Sequence, residues 1–392
     1  MDYKIVKLKE IADFNKESMG KNSNYEFINY LDTANITNGT IDTIVRMSVE
    51  EAPSRAKRIV HNNDIVYSTV RPNLCHYGII DFPVENMIVS TGFTVISCKG
   101  GINPYYVYNY LTQNVITSQL HSIAENSTSA YPSIKPFDLE SIEIKLPRLE
   151  IQNKIAKILT DVDRKMKLNN EINNNLYEMS LSIFNDFLNN NDAELVKLED
   201  CVEKINTGAD AIQRAPIVDY DTGVRCIRIG DMTNSRDYHN WGFTKMNDKD
   251  YDNYKLIKND IVITRTAVNG LTYIITDEER VVCNNGNIRL RVNNKYNPLY
   301  IYLNTKTKDF RNYIDRINGE TSVRPNMKVE YFTSYEIKKY SLEEQNKICN
   351  VIKPLFNKIN ENKKENYNLE QLRDTLLPKL MNGEIDLDNI EL

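Results

Sequence analysis

The sequence predicts an α+β protein: two similar globular domains separated by an antiparallel pair of long coiled-coil-like helices, related by a pseudo-two-fold. Three observations carry this expectation. The chain contains a long-period internal repeat, each copy splits in composition, and a heptad apolar spacing is confined to the last part of each copy. With 392 residues, 41% hydrophobic and 26% charged, the chain has the balance of an ordinary globular protein and the length for two or three domains.

The repeat comes first. Val6-Lys7-Leu8-Lys9 returns as Val196-Lys197-Leu198-Glu199, and Asn35-Ile36-Thr37-Asn38 as Asp231-Met232-Thr233-Asn234. Asn63-Asp64-Ile65-Val66 returns as Asn259-Asp260-Ile261-Val262, and Asn103-Pro104 as Asn297-Pro298. Leu149 to Ile155 returns as Leu342 to Ile348, sharing Gln-Asn-Lys-Ile. The order is kept with only small insertions, and a unit of roughly 190 residues is too long for a solenoid repeat, so a whole domain with its appendage is duplicated. The expected boundaries are a globular domain over 1–148, a spacer helix over 149–189, a second globular domain over 190–340, a second helix over 341–381 and an acidic tail over 382–392.

Within each globular part, short β-branched runs such as 64–70, 87–98, 260–266 and 287–292 are broken by Gly, Asn and Pro, as in a mixed domain. A helix is expected after Pro104, where Tyr106, Tyr110 and Leu111 share a face, and its counterpart after Pro298. From residue 151 the pattern changes. Ile151, Ile155, Ile158, Val162, Ile172, Leu176, Met179 and Ile183 follow a 4,3 spacing, with Asn169 at one seam position. Ile348, Val351, Leu355, Leu369, Leu372 and Leu376 repeat it, with Asn362 standing where Asn169 stood. Such a stripe needs another helix, and the other copy supplies one. Asn169 and Asn362 either fix register as buried polar pairs or mark a solvated break. Pro354 is expected to kink or delay the second helix.

Composition excludes several function classes. No run approaches the ~18 apolar residues of a spanning helix, and the opening lacks an apolar signal core, so a cytoplasmic protein with no membrane partner is expected. The six cysteines contain no CxxC pair and the four histidines lack metal-ligand spacing, so reduced structural thiols and no metal are expected. Net charge is −5, although arginines concentrate in residues 190–340; a chain that coats nucleic acid indiscriminately is excluded, because non-specific affinity comes from cations on phosphates. Two short motifs invite catalytic readings. Asn103-Pro104-Tyr105-Tyr106 resembles the base-holding loop of amino-methyltransferases but lacks its second proline, and Asn-Pro opening a helix in both copies is the simpler account. Glu143-Ile144-Lys145 and Glu336-Ile337-Lys338 resemble the Glu-x-Lys of metal-dependent nucleases, yet each reads as a strand ahead of a long helix.

Two similar heads on a rod of ~60 Å (about 40 residues at 1.5 Å each) suit a ligand with two equivalent faces, and duplex DNA offers these about one turn apart. The chain also resembles the specificity subunits of type I restriction-modification systems. The resemblance covers nearly the whole chain. It rests on the opening of each half, the Asn-Asp-Ile-Val strands, Leu146 to Gln152 leading into a long helix, and the ending Leu376 to Ile385. It implies two target-recognition domains, each reading half of a split double-stranded DNA site. It also implies helices that act as spacer and as dock for two methyltransferase subunits, which bind S-adenosylmethionine and methylate adenine, and a motor-nuclease subunit that joins for restriction. This chain would then be non-catalytic and hold no cofactor, binding DNA weakly alone and tightly in the complex. The loops 127–135 and 321–328 supply candidate base readers: Ser129, Tyr131, Lys135, Arg324, Asn326 and Lys328; after the Asn-Asp-Ile-Val strands come Arg71, Asn73, Arg265 and Asn269. Two other readings stand beside this one: a stand-alone adenine methyltransferase or nuclease, and a two-headed scaffold for proteins or glycans.

Overall fold

The computed structural model describes residues 3–20, 23, 25–127, 132–276, 280–320, 326–388 and 390. Two compact units emerge, Met1–Met166 with Asn368–Leu392, and Lys167–Tyr367. The division falls inside the two long helices, Leu149–Asn190 and Leu342–Asn382. Each unit therefore holds one globular half, the start of its own long helix and the end of the other.

The first unit contains two four-stranded sheets. In one, Ala12–Phe14, Phe93–Cys98, Asp64–Ser68 and Tyr77–Ile80 lie side by side, all antiparallel. In the other, the order is Val45–Ser48, Phe27–Leu31, Met87–Ser90, Ala56–Ile59, with the middle pair parallel. The second unit repeats the first sheet strand for strand as Val202–Thr207, Asn287–Val292, Ile261–Thr264 and Thr272–Ile274. Its other sheet keeps the parallel pair, Arg225–Ile227 on Val281–Cys283, beside Phe243–Thr244. The duplication read from the sequence thus holds for one whole sheet and for the parallel pair of the other, whose outer strand lies beside Met87–Ser90 in the first unit but is Ile217–Val218 beside Phe243–Thr244 in the second.

The repeated Asn-Asp pair is turn chemistry. Asn63 and Asn259 take left-handed φ values of 68° and 72°, which asparagine tolerates better than most residues. The aspartate that follows accepts the N–H of the residue three before it, His61 at 2.7 Å and Ile257 at 2.9 Å. Its second partner differs between copies. Asp64 accepts from the Ser97 hydroxyl at 2.6 Å, whereas Asp260 is clasped by both Nε and Nη2 of Arg291 at 2.7 Å each.

A second repeated knot ties each short helix to its long one. Asn103 caps Pro104–Leu111, its Oδ1 accepting from Tyr105 and Tyr106 N–H, while its own N–H donates to Gln152 and its Nδ2 to Asn153. Asn297 does the same with Leu299, Gln345 and Asn346 at the helix Pro298–Asn304. Proline at the first helical position needs no N–H partner, so Asn-Pro is suited to this place.

The long helices run antiparallel within each unit: Asp163 meets Arg373 in the first, and Asn173 meets Asn362 while Tyr177 meets Phe356 in the second. Asn169 and Asn362 are 1% and 2% exposed. Asn169 donates to Glu365 and Asn366, and Asn362 donates to Asn173, so the middle of the seam is a buried amide ladder that fixes register. The heptad stripe needs correction at several places. Ile172, Met179, Val351 and Leu372 are exposed, Ile172 at 43% and Val351 at 58%, and Asn173, Ser180, Ile352 and Arg373 take the inward positions. The buried set Ile155, Leu159, Asn169, Asn173, Ser180, Phe184 follows ~3.6 residues per turn rather than the supercoiled 3.5, so a 4,3 count drifts off the face. The helix ends also pack on the globular halves, Ile155 and Leu159 in one core, Phe184, Ile348 and Ile352 in the other. Ile158, Val162, Leu176, Leu355, Leu369 and Leu376 are half-buried. The second helix starts at Leu342 and continues through Pro354, which lies on the exposed face, so the expected delayed start is not found; the i−4 carbonyl that loses the proline's N–H stands on the same solvent-facing side, where water can serve it.

The chain beyond Asn382 folds back. Gly383 ends the helix at φ 74°, and an added Cβ there would lie 2.5 Å from the Tyr3 ring. Leu387 is 1% exposed in the first core, its carbonyl accepting from Lys154, with Asp388 paired to Arg148 at 3.0 Å. Leu387→Ala is expected to lower the stability of the full chain by about 2–4 kcal/mol through the cavity it leaves; an unchanged urea midpoint would contradict this packing. No helix among the described residues is long and apolar enough to cross a membrane.

Candidate nucleic-acid interface

In each unit the structure joins the two loops that the sequence offered separately. The strand Asp64–Ser68 runs on into Thr69, Val70 and Arg71, which lie along Pro132, Ser133 and Ile134: Arg71 N–H donates to the Pro132 carbonyl at 2.9 Å and Ile134 N–H to that of Thr69 at 2.8 Å. In the second unit Met327 N–H donates to the Arg265 carbonyl at 2.7 Å, and Thr266 bridges Asn326. Ile134 and Met327 are buried and anchor the loops from beneath. Each unit therefore presents one continuous edge built from both segments.

The edges share a backbone and differ in side chains. Arg71 and Ala267 occupy matched positions and both take left-handed φ, 47° and 61°, a conformation that costs a non-glycine residue roughly 1 kcal/mol or more and persists where surrounding structure enforces it. Thr69 is matched by Arg265 and Ser133 by Asn326. Arg265 is held in place, its Nη2 donating to Asn326 Oδ1 at 2.7 Å and its Nε to the Met327 carbonyl at 3.2 Å. Arg71, Asn73, Lys135, Asn326 and Lys328 are exposed and Arg265 is half-buried. Arginine and asparagine on such an edge are the side chains that pair bidentately with guanine and adenine.

Asn269 departs from expectation. It is 3% exposed and its Nδ2 donates to Asn318 Oδ1 at 2.7 Å, so it braces the loop instead of facing a ligand. The reason is the turn after Ala267, which carries the chain inward to Gly270, where an added Cβ would press on Ile314. Ser129, Tyr131 and Arg324 lie outside the described residues. Apolar side chains also stand exposed on the edges, Val70 and Leu74 on the first and Val268 on the second; such groups contact thymine methyls, and the only mark of them in the sequence is their place beside Pro72 and Asn269.

Most arginines of residues 190–340 are spent on structure. Arg289 is buried, bonded to Asn206 Oδ1 and to the Lys255 and Asn253 carbonyls, and Arg228 reaches the Cys226 and Phe243 carbonyls. The motifs with catalytic overtones are likewise committed. Asn103 is a helix cap, Lys338 Nζ holds the carbonyls of Leu188 and Asn191 at the end of the first long helix, and Lys145 reaches Asn382 at the end of the second. Burial pushes the thiols up, Cys201 to about 11 and Cys98, Cys226 and Cys349 to about 12, which leaves them neutral and poorly nucleophilic at pH 7.

A family profile described as "Type I restriction modification DNA specificity domain" matches residues 1–178 and again 190–371. The chain is 30% identical over 161 residues to the Type I restriction enzyme HindI specificity subunit of Haemophilus influenzae, a match covering 41% of this chain and 35% of that protein. It is 25% identical over 353 residues to the Type I restriction enzyme MjaIX specificity subunit of Methanocaldococcus jannaschii, covering 80% and 76% of the two. Among solved structures, the Type-I restriction-modification system S subunit from M. genitalium superimposes with a TM-score of 0.58 at 14% identity, covering 97% of this chain and 96% of the other, a likeness of fold.

Proposed function

Since this chain belongs to the type I restriction-modification DNA specificity family, we propose that it reads a bipartite duplex site, one half of the chain per half-site. The observation that carries this reading is the matched pair of loop edges. The backbone is common, down to the left-handed residue, whereas Arg71, Thr69 and Ser133 are replaced by Ala267, Arg265 and Asn326. Two readers of different sequences need this combination of one scaffold with divergent side chains.

The chain itself is non-catalytic in this reading. Adenine methylation belongs to two methyltransferase subunits that hold S-adenosylmethionine; where the system also restricts, a motor-nuclease subunit joins them. Docking is supported by Leu168, Ile172 and Met179, exposed apolar residues spaced four and seven apart along the first long helix, with Val351 exposed on the second. The commitment of Asn103, Lys145 and Lys338 to helix ends supports the absence of chemistry in this chain.

Long-read mapping of modified adenines in cells expressing this chain with its methyltransferase subunits is expected to return a two-part motif with a fixed gap. A continuous motif, or methylation by the purified chain alone with S-adenosylmethionine, would overturn the proposal.

A further inference from the structure

Three connections of the second half leave one end of one sheet. Val202–Thr207 and Ile261–Thr264 end there and Asn287–Val292 begins there, with Thr207 paired to Ile288 and Thr264 to Asn287. The connection after Thr264 carries the Arg265 edge. The one after Thr207 is the loop 208–216, and the one before Asn287 is the tight turn 284–286. The turn ties the other two together: the Gly286 carbonyl accepts the Arg265 N–H at 2.9 Å, while Asn285 N–H donates to the Ala209 carbonyl at 2.7 Å and Ala209 N–H to that of Cys283 at 2.8 Å. Gly208 runs so close that an added Cβ would stand 2.2 Å from the Cys283 carbonyl oxygen, an approach open to glycine alone.

The loop is stiff in itself. The Asp210 carboxylate accepts the N–H groups of Ile212 at 2.9 Å and Gln213 at 2.7 Å, and its carbonyl those of Ala215 at 2.7 Å and Arg214 at 3.1 Å. Arg214 is drawn aside, its Nη1 donating to the Tyr254 hydroxyl at 2.5 Å. Ile212, 84% exposed, and Gln213 stand outwards beside the edge.

The first half fills the same place with a different segment. Thr91 and Gly92 match Asn285 and Gly286, and the Gly92 carbonyl accepts the Thr69 N–H at 2.8 Å, as Gly286 accepts that of Arg265. The Thr91 N–H, however, donates to the Arg55 carbonyl at 2.8 Å, in the stretch just ahead of Ala56–Ile59. One fixed tie thus carries two unrelated segments, one bearing Arg55 and the other Ile212 and Gln213. Loops held on a common scaffold are where two readers can differ most without disturbing the fold.

We propose that Ile212 and Gln213 are further specificity-determining residues of the second half-site, Gln213 reading an adenine and Ile212 a thymine methyl. The inference rests on the bipartite reading above and places a third segment beside the two that form the Arg265 edge. A glutamine amide matches the N6 donor and N7 acceptor that adenine shows in the major groove, and an apolar side chain matches the methyl of thymine.

The test uses the full chain assembled with its methyltransferase subunits. Duplexes carry the mapped motif with each pair of its second part, the methylated adenine apart, changed in turn, and transfer of tritiated methyl groups is scored. Gln213→Ala is expected to lose roughly tenfold or more of the preference for one A·T pair, while preferences in the first part stay within about twofold. Replacing that adenine by 7-deazaadenine, which lacks only the N7 acceptor, should slow the parent complex about tenfold and the Gln213→Ala complex hardly at all. Uracil in place of thymine, which removes only the methyl, should slow the parent and not Ile212→Ala. Both side chains are exposed, so the urea midpoint read from Trp241 should stay unchanged in each variant. Unchanged preferences with Gln213→Ala, an equal fall on every sequence as a phosphate contact would give, or a second part with no A·T pair besides the methylated one overturns the assignment. Arg265→Ala in the same assay separates the two failures. If it relaxes the second part and Gln213→Ala does not, this inference alone falls; if neither does, the edge is not the reader and the proposed function falls with it.

Discussion

Replacing residues 190–340 with the matching segment of a relative is expected to change one part of the methylated motif completely and leave the other part as it was. The second loop edge, from Arg265 through Asn326 and Lys328, lies wholly inside that segment, while Arg71, Asn73 and Lys135 lie outside it. The junctions are firm enough for such an exchange if their bonds are kept. Lys338 Nζ caps the first long helix at Leu188 and Asn191, and Tyr340 donates its hydroxyl to the same Asn191 carbonyl at 2.7 Å. A graft that retains lysine and tyrosine at these places should assemble with methyltransferase subunits like the parent. Within the segment, Arg265→Ala should relax choice within that same part of the motif by about 1–3 kcal/mol, or roughly 5- to 150-fold, because the guanidinium and the placement of Asn326 that it fixes are lost together. Methylation mapping of the grafted strain checks the first expectation; a change in both parts of the motif, or in neither, would show that the halves do not read separately.

Asp260→Ala is expected to destabilise the second half by about 3 kcal/mol, more than the matched Asp64→Ala destabilises the first. The two aspartates share a turn and a strand, but Asp260 is fully buried and forms a two-point ion pair with Arg291, a quarter exposed. Removing the carboxylate strands a guanidinium away from most of its water and frees the Ile257 N–H, the situation in which breaking a buried pair costs most. Asp64 instead accepts from a serine hydroxyl and a backbone N–H, whose loss is expected to cost about 2 kcal/mol. Trp241 is the sole tryptophan and sits in the core of the second half, so its emission during urea unfolding follows Asp260→Ala directly. Equal losses at the two positions would show that the arginine contributes nothing beyond the serine. Arg291→Ser in the Asp260→Ala background should recover part of the loss.

Much of the fold was legible because self-comparison needs no coordinates. Asn63-Asp64 and Asn259-Asp260 are the same turn, Asn103-Pro104 and Asn297-Pro298 the same cap, and Gln152-Asn153 and Gln345-Asn346 the same tie. Each short motif recurs because its backbone carries an obligation that few residue types can meet. The seam was legible only in part. Ile155, Asn169, Ile348 and Asn362 point inward, but Ile172, Met179, Val351 and Leu372 do not, since helices whose ends pack on globular cores bury side chains at about 3.6 residues per turn and not on a strict heptad. The interface was less legible still. Arg265 and Asn326 stand 61 residues apart and meet side chain to side chain, while Asn269, four residues from Arg265, turns inward to Asn318.

By itself the sequence determined that there are two halves of one design, which residues open and close their helices, and the family to which the whole belongs. These follow from local backbone needs and from order along the chain. Only the tertiary structure decided which polar side chains remain available. A hydrogen-bonding group is available or spent according to what the fold brings within 3 Å of it, and for Arg265, Asn269, Arg289 and Lys338 those partners lie tens of residues away in the chain or more.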